Sequence, residues 1–479
     1  MPQIQLRLDF LDEKILYGDV LNYNDTKIGK EYLAQLMGKA VTHNGKEKKQ
    51  TFRSQVRFED ILLPNLRFDT EICQSVLDWY KSVTVYPSNK KDKKDKKKLQ
   101  KKINFYGIEY VFGLGGAHGS VEKKHFKSTK DRVIKDIDVT SYYPSVAINH
   151  AWSPEHLGDP FAQYYKDLKA RRIQYPKESA MNKVLKLALN GVFGDSNNPF
   201  SLYYDPKFLY SITINCQMLI LKLVEEICLT IPDVKIIQAN TDGVSVDMPR
   251  RYEEFFEIVK QSWQQSTGLQ LEEVTYSDMW VRDVNNYLAV DTKGKVKRKG
   301  AYWYPEKESD FEGNWHKDMS CLVVQKAAEK VMIDGFSPEF AVSMFADPFD
   351  YMLRYKTKGA AQAFIGNKPQ YKNTRFYVST AGEPMTKLTP IKEGQENQWK
   401  RKNKLSDEYF DSIVAEVGEG VWDARIHTGT EKTRKMYSDK NEDVEKGYLV
   451  KECNDAKKFN ANDIDYAYYI KKVQDLIIR

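Results

Sequence analysis

Hydrophobic residues recur along much of the chain at one of two spacings, and each spacing predicts a different element. Apolar side chains three and four residues apart predict amphipathic helices, whereas β-branched runs with alternating polar positions predict strands. The helical spacing occurs in residues 25–40, 161–177, 178–194 and 211–229. Asp25 is expected to cap the first helix. Pro176 separates the second helix from the third, which predicts a helical hairpin.

The extended spacing predicts strands in several other segments. Residues 105–121 form two strand-like arms interrupted by glycines, and residues 132–139 form a β-branched strand that we expect Pro144 to stop. Residues 236–246 and 285–304 have the pattern of β-hairpins. Helices and hairpins therefore alternate along this part of the chain.

The 236–246 hairpin, IIQANTDGVSV, carries a carboxylate at its tip. Apolar residues fill both arms, and Asp242-Gly243 favours a tight turn in which the glycine takes a positive φ. Aspartate is also a common turn residue, so Asp242 alone indicates nothing beyond the turn.

A second carboxylate, Asp138, lies at the end of the strand 132–139. The residues on either side of Asp138 face the opposite side of the strand. Asp138 and Asp242 both occur at the open ends of apolar strands. Two fixed carboxylates repel each other, and a divalent cation relieves that repulsion. Mg²⁺ prefers oxygen ligands and is commonly completed by substrate phosphates. Together, Asp138 and Asp242 are therefore candidate Mg²⁺ ligands.

The helix predicted over residues 178–193 lies between Asp138 and Asp242 in the sequence, and it has a polar face. Lys186, Asn190 and Phe193 lie at i, i+4 and i+7 on that face, which could contact the phosphate, base and sugar of a nucleotide. The neighbouring apolar stripe that would anchor the helix consists of Leu185, Leu189 and Val192. Further cations on the preceding helix are Lys166, Lys169, Arg171 and Arg172. A lysine-bearing helix face is also commonly just solvated.

Composition limits the class of protein. A chain of 479 residues with 41% hydrophobic residues predicts a globular protein of roughly three domains. It has no apolar run long enough to cross a bilayer and no signal peptide. Its five cysteines form no CxxC pair and no cluster with histidine, which argues against a disulfide framework or zinc site. We expect a cytoplasmic protein with no membrane partner.

The positive charge of the chain is concentrated in one run. Residues 90–102 contain nine lysines and two aspartates, a net +7 that equals the charge of the whole chain. We expect an exposed loop, because like charges repel and none of these side chains packs into a core. Such a loop is either a solvated surface or a contact to a phosphate backbone.

Five segments carry a resemblance to family B DNA polymerases, in the order of that family. DVTSYYPS (138–145) resembles motif A, DxxSLYPS; KLALNGVFG (186–194) resembles motif B, KxxxNSxYG; and QANTDG (238–243) resembles motif C, YxDTDS. FGLGGAHGS (112–120) resembles the glycine-rich segment before the palm, and KRKGAY (297–302) resembles the lysine–tyrosine motif at the primer. The pattern is similar to that of phage members of the family.

The resemblance implies an α+β fold with the right-hand polymerase architecture: an antiparallel β palm, helical-hairpin fingers and a mixed thumb. The expected divisions are an N-terminal connector with the lysine-rich loop (1–110), palm (111–154), fingers (155–195), palm (196–304) and thumb (305–479). The implied activity is addition of deoxynucleotides to a primer 3′-hydroxyl during phage genome replication, in the cytoplasm of the host cell.

The resemblance also assigns roles to particular residues. Two Mg²⁺ ions, or Mn²⁺ in their place, would be held by Asp138, Asp242 and the backbone of Val139. The nucleotide would contact Ser141, Tyr142, Tyr143, Lys169, Arg172, Lys186, Asn190 and Phe193, with Tyr143 as a steric gate against a ribose 2′-hydroxyl. Primer and template would contact Gly115, Gly116, Thr241, Lys299 and Tyr302.

This chain departs from the family pattern within these motifs. The positions that differ are Gln238, Asn240, Gly243, Gly191 and Phe193. Asn240 replaces an aspartate and brings no charge, and Asp136, on the same strand face as Asp138, is a candidate replacement. Two alternatives therefore stay open: a catalytically weakened polymerase-like protein that acts as a DNA-binding or replisome scaffold, and a two-metal nuclease. The nuclease alternative does not account for Tyr143 or for the face of Lys186.

Proofreading is not expected of this chain. Only 111 residues precede the glycine-rich segment, fewer than a family-type 3′–5′ exonuclease domain needs, and the family's DxE signature is absent. The intervals between the motifs also lack room for the insertions of protein-primed phage relatives. The expected partners are primer–template DNA and deoxynucleoside triphosphates, and a separate exonuclease chain is a candidate partner.

Overall fold

A computed structural model describes most of the chain. The described residues are 20–23, 25–38, 50–87, 99–177, 179–306, 319–357, 361–388 and 442–478, with short stretches between 412 and 436. The chain divides into two compact units, residues 1–297 and residues 298–479.

The first unit alternates helices with strands. In chain order its elements are α1 (Asp25–Leu36), β1 (Val56–Arg57), α2 (Glu71–Ser82), β2 (Thr84–Val85), β3 (Lys101–Phe105), β4 (Ile108–Phe112), β5 (His118–Ser120), β6 (Lys124–Lys127), β7 (Arg132–Val139), α3 (Tyr142–Asn149), α4 (Gly158–Ile173), α5 (Ala180–Asp195), α6 (Pro206–Thr230), β8 (Lys235–Ala239), β9 (Gly243–Pro249), α7 (Glu253–Thr267), β10 (Leu271–Asp283), β11 (Asn286–Asp291) and β12 (Val296–Lys299).

One sheet positions the elements of the first unit. Its strand order is β12-β11-β10-β7-β9-β8-β5-β4-β3, and β6 pairs with β10. All of the recorded pairings in this sheet are antiparallel. Strand β7 lies between β9 and β10, so Asp138 has Gly243 as its partner on one side and Glu272 on the other. The register of three strands thus fixes the position of this carboxylate.

Helix α6 is buried along nearly its whole length and binds surrounding loops through polar side chains. The Asn215 carbonyl accepts from the backbone N–H of Leu63 at 2.8 Å, and the Gln217 side chain bonds to Gly113 and to the Tyr80 hydroxyl. Buried polar groups need such partners, because an unpaired one costs roughly 1–3 kcal/mol. Helix α6 therefore fixes the loop between β1 and α2 and the loop that follows β4.

Glu225 of α6 binds the start of α2. Its fully buried carboxylate accepts hydrogen bonds from the backbone N–H groups of Asp69 and Thr70, from the Thr70 hydroxyl and from Lys222. Burial by itself would raise the pKa of Glu225, but the hydrogen bonds from Thr70 and Lys222 outweigh burial, so the pKa lies below its ordinary value. The carboxylate thus stays charged and holds the N-terminus of α2.

Helix α1 packs directly on α5 with almost no side chain between the two backbones. A Cβ built on Gly29 would lie 2.5 Å from the Ala188 Cα, far inside van der Waals contact. Lys30 forms an ion pair with Asp195 at 2.6 Å at the far end of α5. The two helices are therefore joined both by close contact and by charge.

The second unit has its own sheet and helices. Its elements are α8 (Leu322–Asp334), α9 (Pro338–Ser343), α10 (Pro348–Tyr351), β13 (Leu353–Lys356), β14 (Gln362–Ile365), β15 (Lys368–Pro369), β16 (Asn373–Leu388), β17 (Ile426–Thr428), β18 (Arg434–Met436), β19 (Glu442–Asp443), β20 (Leu449–Glu452) and α11 (Tyr466–Leu476). Strand β16 pairs with β13, β14, β19 and β20. The Tyr469 hydroxyl of α11 joins β16 to α10, because it accepts from the Val378 N–H and donates to the Tyr351 carbonyl.

These elements confirm the mixture of helices and antiparallel sheet that defines the α+β class. The subdivision into palm, fingers, thumb and connector stays a prediction. No helix among the described residues is long and apolar enough to cross a membrane. Most of the lysine-rich run lies outside the described residues, but its last two lysines, Lys101 and Lys102, begin strand β3.

Several details of the sequence-based elements differ from the structure. Pro144 does not stop strand β7, which already ends at Val139. Pro144 lies in the first turn of α3, where a helix leaves backbone N–H groups without a helical acceptor, so the missing N–H costs no hydrogen bond. The helix predicted over residues 25–40 ends at Leu36. Helix α2 was not predicted, although Thr70 caps it and Cys73, Val76, Leu77 and Tyr80 give it a buried face.

Glu225→Gln is expected to lower the free energy of unfolding by about 2 kcal/mol at neutral pH, because charge-assisted hydrogen bonds to a buried carboxylate are lost. The lowered pKa sets the sign of the pH dependence. The carboxylate stabilises the fold above the pKa of an unfolded glutamate, about 4.3, and this contribution is lost as the pH falls through the lower folded value. Urea unfolding at a series of pH values measures the difference.

Glu226→Gln is the matched control on the next position of the same helix. Its carboxylate is half-buried and lies 4.0 Å from Lys222, without the contacts to the start of α2. We expect a much smaller change for this variant. Equal losses of stability in the two variants would contradict the role given to Glu225.

Candidate active site

The candidate site is an open cleft of the first unit with a volume of about 770 Å³. It lies where the end of β7, the turn from β8 to β9, and helices α4 and α5 meet. Residues from five separate segments line it: Asp138, Val139, Thr140, Ser141, Tyr142 and Tyr143; Lys169, Arg172, Ile173, Tyr175 and Lys177; Asn182, Lys186, Asn190, Phe193 and Gly194; Thr241 and Asp242; and Glu272. The three predicted motifs therefore meet in one cleft.

The turn between β8 and β9 is tight and packs against β7. The Asn240 N–H donates to the Gly243 carbonyl at 2.8 Å, and the Val139 N–H donates to the Asp242 carbonyl at 2.7 Å. The predicted positive φ of Gly243 is wrong, since this residue is not among those in the left-handed region. Glycine is required here for a different reason: a Cβ would lie 2.1 Å from the Asp138 Oδ1 and 2.8 Å from the Ile137 carbonyl oxygen.

Asp138 and Asp242 are both accessible from the cleft. The side chain of Asp138 is 54% exposed, and Asp242 is also exposed. Glu272, the neighbour of Asp138 on β10, forms an ion pair with Lys177 at 2.9 Å. The described residues contain no group of three or more His, Cys, Asp or Glu side chains suited to a metal ion. Two carboxylates fit Mg²⁺ when water and substrate phosphates supply the other oxygens.

Asp136 does not offer the replacement carboxylate that we expected. It is buried, and its oxygens accept from the Ser245 hydroxyl at 2.5 Å, the Tyr276 hydroxyl at 3.0 Å and the Lys297 ammonium at 2.9 Å. Strand alternation does place it on the same side of β7 as Asp138, as predicted. The prediction failed because the sequence does not show that Ser245, Tyr276 and Lys297 surround this position.

The turn from β7 to α3 is held by cations of α4. Ser141 has a left-handed backbone conformation, with φ 49° and ψ 49°, and it precedes the first residue of α3. Its hydroxyl accepts from the Arg172 guanidinium at 2.8 Å, and Lys169 donates to the Ser145 hydroxyl at 2.7 Å. Both cations therefore approach the turn through neutral hydroxyl groups.

Lys169 and Arg172 lack a carboxylate within ion-pair distance in the described part of the chain. Burial, followed by the neighbouring Arg172, lowers the pKa of Lys169. Burial also lowers the pKa of Arg172, and Glu272 only partly opposes this effect. Two half-buried cations without a counter-ion gain stability from an anion, so this end of the cleft is suited to phosphate.

Two aromatic rings form one wall of the cleft. The rings of Tyr143 and Phe193 have centroids 4.7 Å apart, and the Tyr143 hydroxyl donates to the Gly115 carbonyl at 3.2 Å. Burial raises the pKa of Tyr143, so its hydroxyl stays protonated. The Tyr142 side chain points away from the cleft, because it is buried and its hydroxyl donates to the Cys216 carbonyl at 2.6 Å. Only the backbone of Tyr142 can serve a ligand.

The predicted polar face of α5 is present. Lys186 and Asn190 are exposed and Phe193 is half-buried, all lining the cleft. The expected apolar stripe is fully buried and consists of Leu185, Leu189 and Val192. The amphipathic spacing of this helix was therefore predicted correctly.

The predicted primer and template residues are divided between the units. In the first unit, a Cβ on Gly116 would lie 3.0 Å from the Thr241 Oγ1, so the glycine-rich segment packs against the β8–β9 turn. Lys299, the last residue of β12, is exposed. Tyr302 belongs to the second unit and is buried, and its hydroxyl donates to the Leu476 carbonyl at 2.8 Å. A side chain in that position has no surface to offer a primer, so that predicted contact is corrected to a packing role.

Two residues near the carboxylates were missed. Lys297 lies 3.7 Å from the Asp138 Oδ2. In the sequence, its position two residues before Lys299 on a predicted strand could have indicated that it lies near the site. His118 is close enough to Asp242 to respond to its charge; burial lowers the pKa of His118 and Asp242 opposes that effect. The glycine-rich sequence around His118 gave no indication of this placement.

Comparison with known proteins adds little to what the cleft shows. No protein-family model matches the chain, and no curated protein matches it in sequence. The chain is similar to a solved structure of the family B DNA polymerase from the hyperthermophilic archaeon Pyrobaculum calidifontis, with 11% sequence identity and a TM-score of 0.36. The match covers 79% of this chain and 47% of that polymerase, so this chain spans about half its length. A TM-score of this size carries no argument about function.

Gly243→Ala is expected to destabilise the first unit by about 1–3 kcal/mol, because the added methyl group overlaps backbone and the Asp138 carboxylate. Thermal and urea unfolding measure the change. Gly194→Ala is the matched control in the same cleft: nothing lies within 4 Å of its added Cβ, and alanine is favoured over glycine in a helix by about 0.5–1 kcal/mol. If the two variants change stability in the same direction, the close packing at Gly243 is not the reason for its glycine.

Proposed function

We propose that this chain is a template-directed DNA polymerase of the family B, phage type, which adds deoxynucleotides to a primer 3′-hydroxyl. The observation that supports the proposal is the convergence in one cleft of three motifs that are far apart in sequence. Asp138 and Asp242 bring negative charge, Lys169 and Arg172 bring positive charge that no carboxylate among the described residues pairs, and Tyr143 forms a wall beside them. A substrate with phosphates and a sugar is complementary to that combination.

The cations are arranged for a triphosphate. Arg172 and Lys169 are already directed at the turn that starts α3, and Lys186 enters the cleft from α5. Arginine can bind phosphate oxygens through two parallel hydrogen bonds, whereas lysine acts as a point charge. These side chains would bind the triphosphate and orient its α-phosphate toward the carboxylates.

Asp138 and Asp242 would hold the divalent cations. Bound Mg²⁺ would neutralise phosphate charge and lower the pKa of the attacking hydroxyl. The contribution of the chain itself is to fix both carboxylates. Asp138 is fixed by the pairing of β7 with β9 and β10, and Asp242 by the hydrogen bond between its carbonyl and the Val139 N–H.

Tyr143 would discriminate between sugars. Its ring is fixed by Phe193 on one side and by the hydrogen bond to the Gly115 carbonyl. A rigid ring at this point excludes an additional 2′-hydroxyl by its bulk. Gly115 and Gly116, next to Tyr143 and Thr241, would leave room for the template strand to approach the backbone.

A second candidate function is a polymerase-like DNA-binding scaffold with weak or no catalysis. The observation that favours it is Asn240, which supplies no charge at the β8–β9 turn. In either case the partners would be primer–template DNA and deoxynucleoside triphosphates, and a separate exonuclease chain is a further candidate partner. Primer extension with Mg²⁺ and then Mn²⁺ distinguishes the two functions, because only the polymerase lengthens the primer.

Asp138→Asn and Asp242→Asn are each expected to lower nucleotide incorporation by roughly a hundredfold or more, since the charge that binds the cation is lost. Primer–template binding should change little. Single-nucleotide incorporation under single-turnover conditions measures the first quantity, and fluorescence anisotropy of labelled DNA the second.

Asn240→Ala is the control within the same turn. It removes an amide but no charge, so we expect a much smaller loss of incorporation. An equal loss in all three variants would contradict the assignment of Asp138 and Asp242 as the cation ligands. A primer that is shortened rather than extended would favour the nuclease alternative.

Tyr143→Ala is expected to raise the ratio of ribonucleotide to deoxyribonucleotide incorporation by about tenfold or more, because deletion of the ring opens space for a 2′-hydroxyl. Tyr143→Phe keeps the ring and removes only the hydrogen bond to Gly115, so its ratio should stay near that of the natural chain. Competition kinetics with matched ribo- and deoxyribonucleotides give the ratio. An unchanged ratio in Tyr143→Ala would rule out the gate.

A further inference from the structure

A buried polar network lies directly beneath the two carboxylates of the cleft. It begins at Gln238 of β8, whose amide donates to the Ser245 hydroxyl at 3.1 Å. Ser245 donates to Asp136 at 2.5 Å, and Asp136 also accepts from Tyr276 and from Lys297. Both carboxylate oxygens of Asp136 therefore accept hydrogen bonds, and the residue is only 4% exposed. None of the roles proposed above uses this network.

Lys297 connects the network to the cleft. Its ammonium lies 2.9 Å from the Asp136 Oδ2 and 3.7 Å from the Asp138 Oδ2. The rings of Tyr276 and Tyr287 lie 5.8 Å and 5.7 Å from the same ammonium, which limits where it can move. Asp138, by contrast, is half-exposed and faces the cleft.

The side chain of Lys297 is positively charged. The carboxylates of Asp136 and Asp138 lie 2.9 Å and 3.7 Å from its ammonium, and opposite charges at such distances favour the charged form of a lysine. The lysine therefore carries a permanent positive charge beside a candidate ligand of the divalent cation. A buried ion pair of this kind adds little net stability, because the desolvation of both charges offsets their attraction.

We propose that Asp136 is a positioning residue that holds Lys297 as a built-in counter-ion of Asp138, and that this lysine sets the affinity of the carboxylate pair for a divalent cation. The inference rests on the proposed function, in which Asp138 and Asp242 bind that cation. A cation that arrives alone must share Asp138 with Lys297 and is repelled by it. A cation that arrives with a triphosphate brings negative charge that offsets the repulsion, so cation and nucleotide bind together.

The test measures binding of Mn²⁺ to the full chain in the absence of DNA and nucleotide, by the electron paramagnetic resonance signal of the free ion. Lys297→Met is expected to tighten Mn²⁺ binding by about tenfold, because a unit charge within a few ångströms of the site is removed. Lys177→Met is the matched control, since Lys177 lines the same cleft but is paired with Glu272. Equal tightening in both variants would attribute the effect to the general charge of the cleft and overturn the inference.

A double-mutant cycle tests the positioning role of Asp136. Asp136→Asn alone should weaken Mn²⁺ binding several-fold, because Asp138 becomes the remaining carboxylate partner of Lys297. In the Lys297→Met background the same substitution should have almost no effect. Additive effects would show that Asp136 acts only through its own charge, and the inference would fail.

The double variant also guards against a folding defect. Lys297→Met leaves Asp136 buried without its cation, whereas Asp136→Asn/Lys297→Met removes both charges and should unfold close to the temperature of the natural chain. Its Mn²⁺ affinity should still exceed that of the natural chain, and an unchanged affinity would overturn the inference. If Asp138→Asn and Asp242→Asn leave Mn²⁺ binding intact, the carboxylate pair is not the cation site, and the proposed function fails first.

Discussion

Strand β7 pairs with β9 so that Asp138 lies opposite Gly243, and the cleft is built on that register. The pairing brings Asp242 within one hydrogen bond of Val139, and the absence of a side chain at Gly243 leaves space for the Asp138 carboxylate. A shift of one residue would turn every side chain of β7 to the other face of the sheet, because side chains alternate along a strand. The pairing of β7 with β10 on its other side opposes such a shift.

Two cations of the cleft, Lys169 and Arg172 on α4, have no carboxylate within ion-pair distance among the described residues, although Asp138 and Asp242 line the same cleft. Neutral hydroxyl groups of Ser141 and Ser145 accept the hydrogen bonds of Arg172 and Lys169 instead. Lys177 and Lys297 differ, because Lys177 pairs with Glu272 and Lys297 pairs with Asp136.

The sequence predicted those features that depend on local pattern. Spacing alone predicts the strand that carries Asp138, the hairpin with Asp242 at its tip and the face of α5 with Lys186. The motifs indicated that these elements would meet. The reason for glycine at Gly243, the burial of Asp136 and the burial of Tyr302 were not predicted. Each depends on neighbours that are distant in the chain, and hydrophobic spacing contains no information about those neighbours.

The contact between Gly29 and Ala188 joins α1 to α5, a helix that lines the cleft. With backbone against backbone, α1 cannot slide along α5, and the Lys30–Asp195 ion pair joins them again at the end of α5. Helix α5 carries Lys186, Asn190 and Phe193 in the cleft. A larger side chain introduced at Gly29 would overlap the α5 backbone at Ala188, so the two helices could no longer pack at this distance. A substitution in α1, outside the cleft, therefore bears on the helix that lines it.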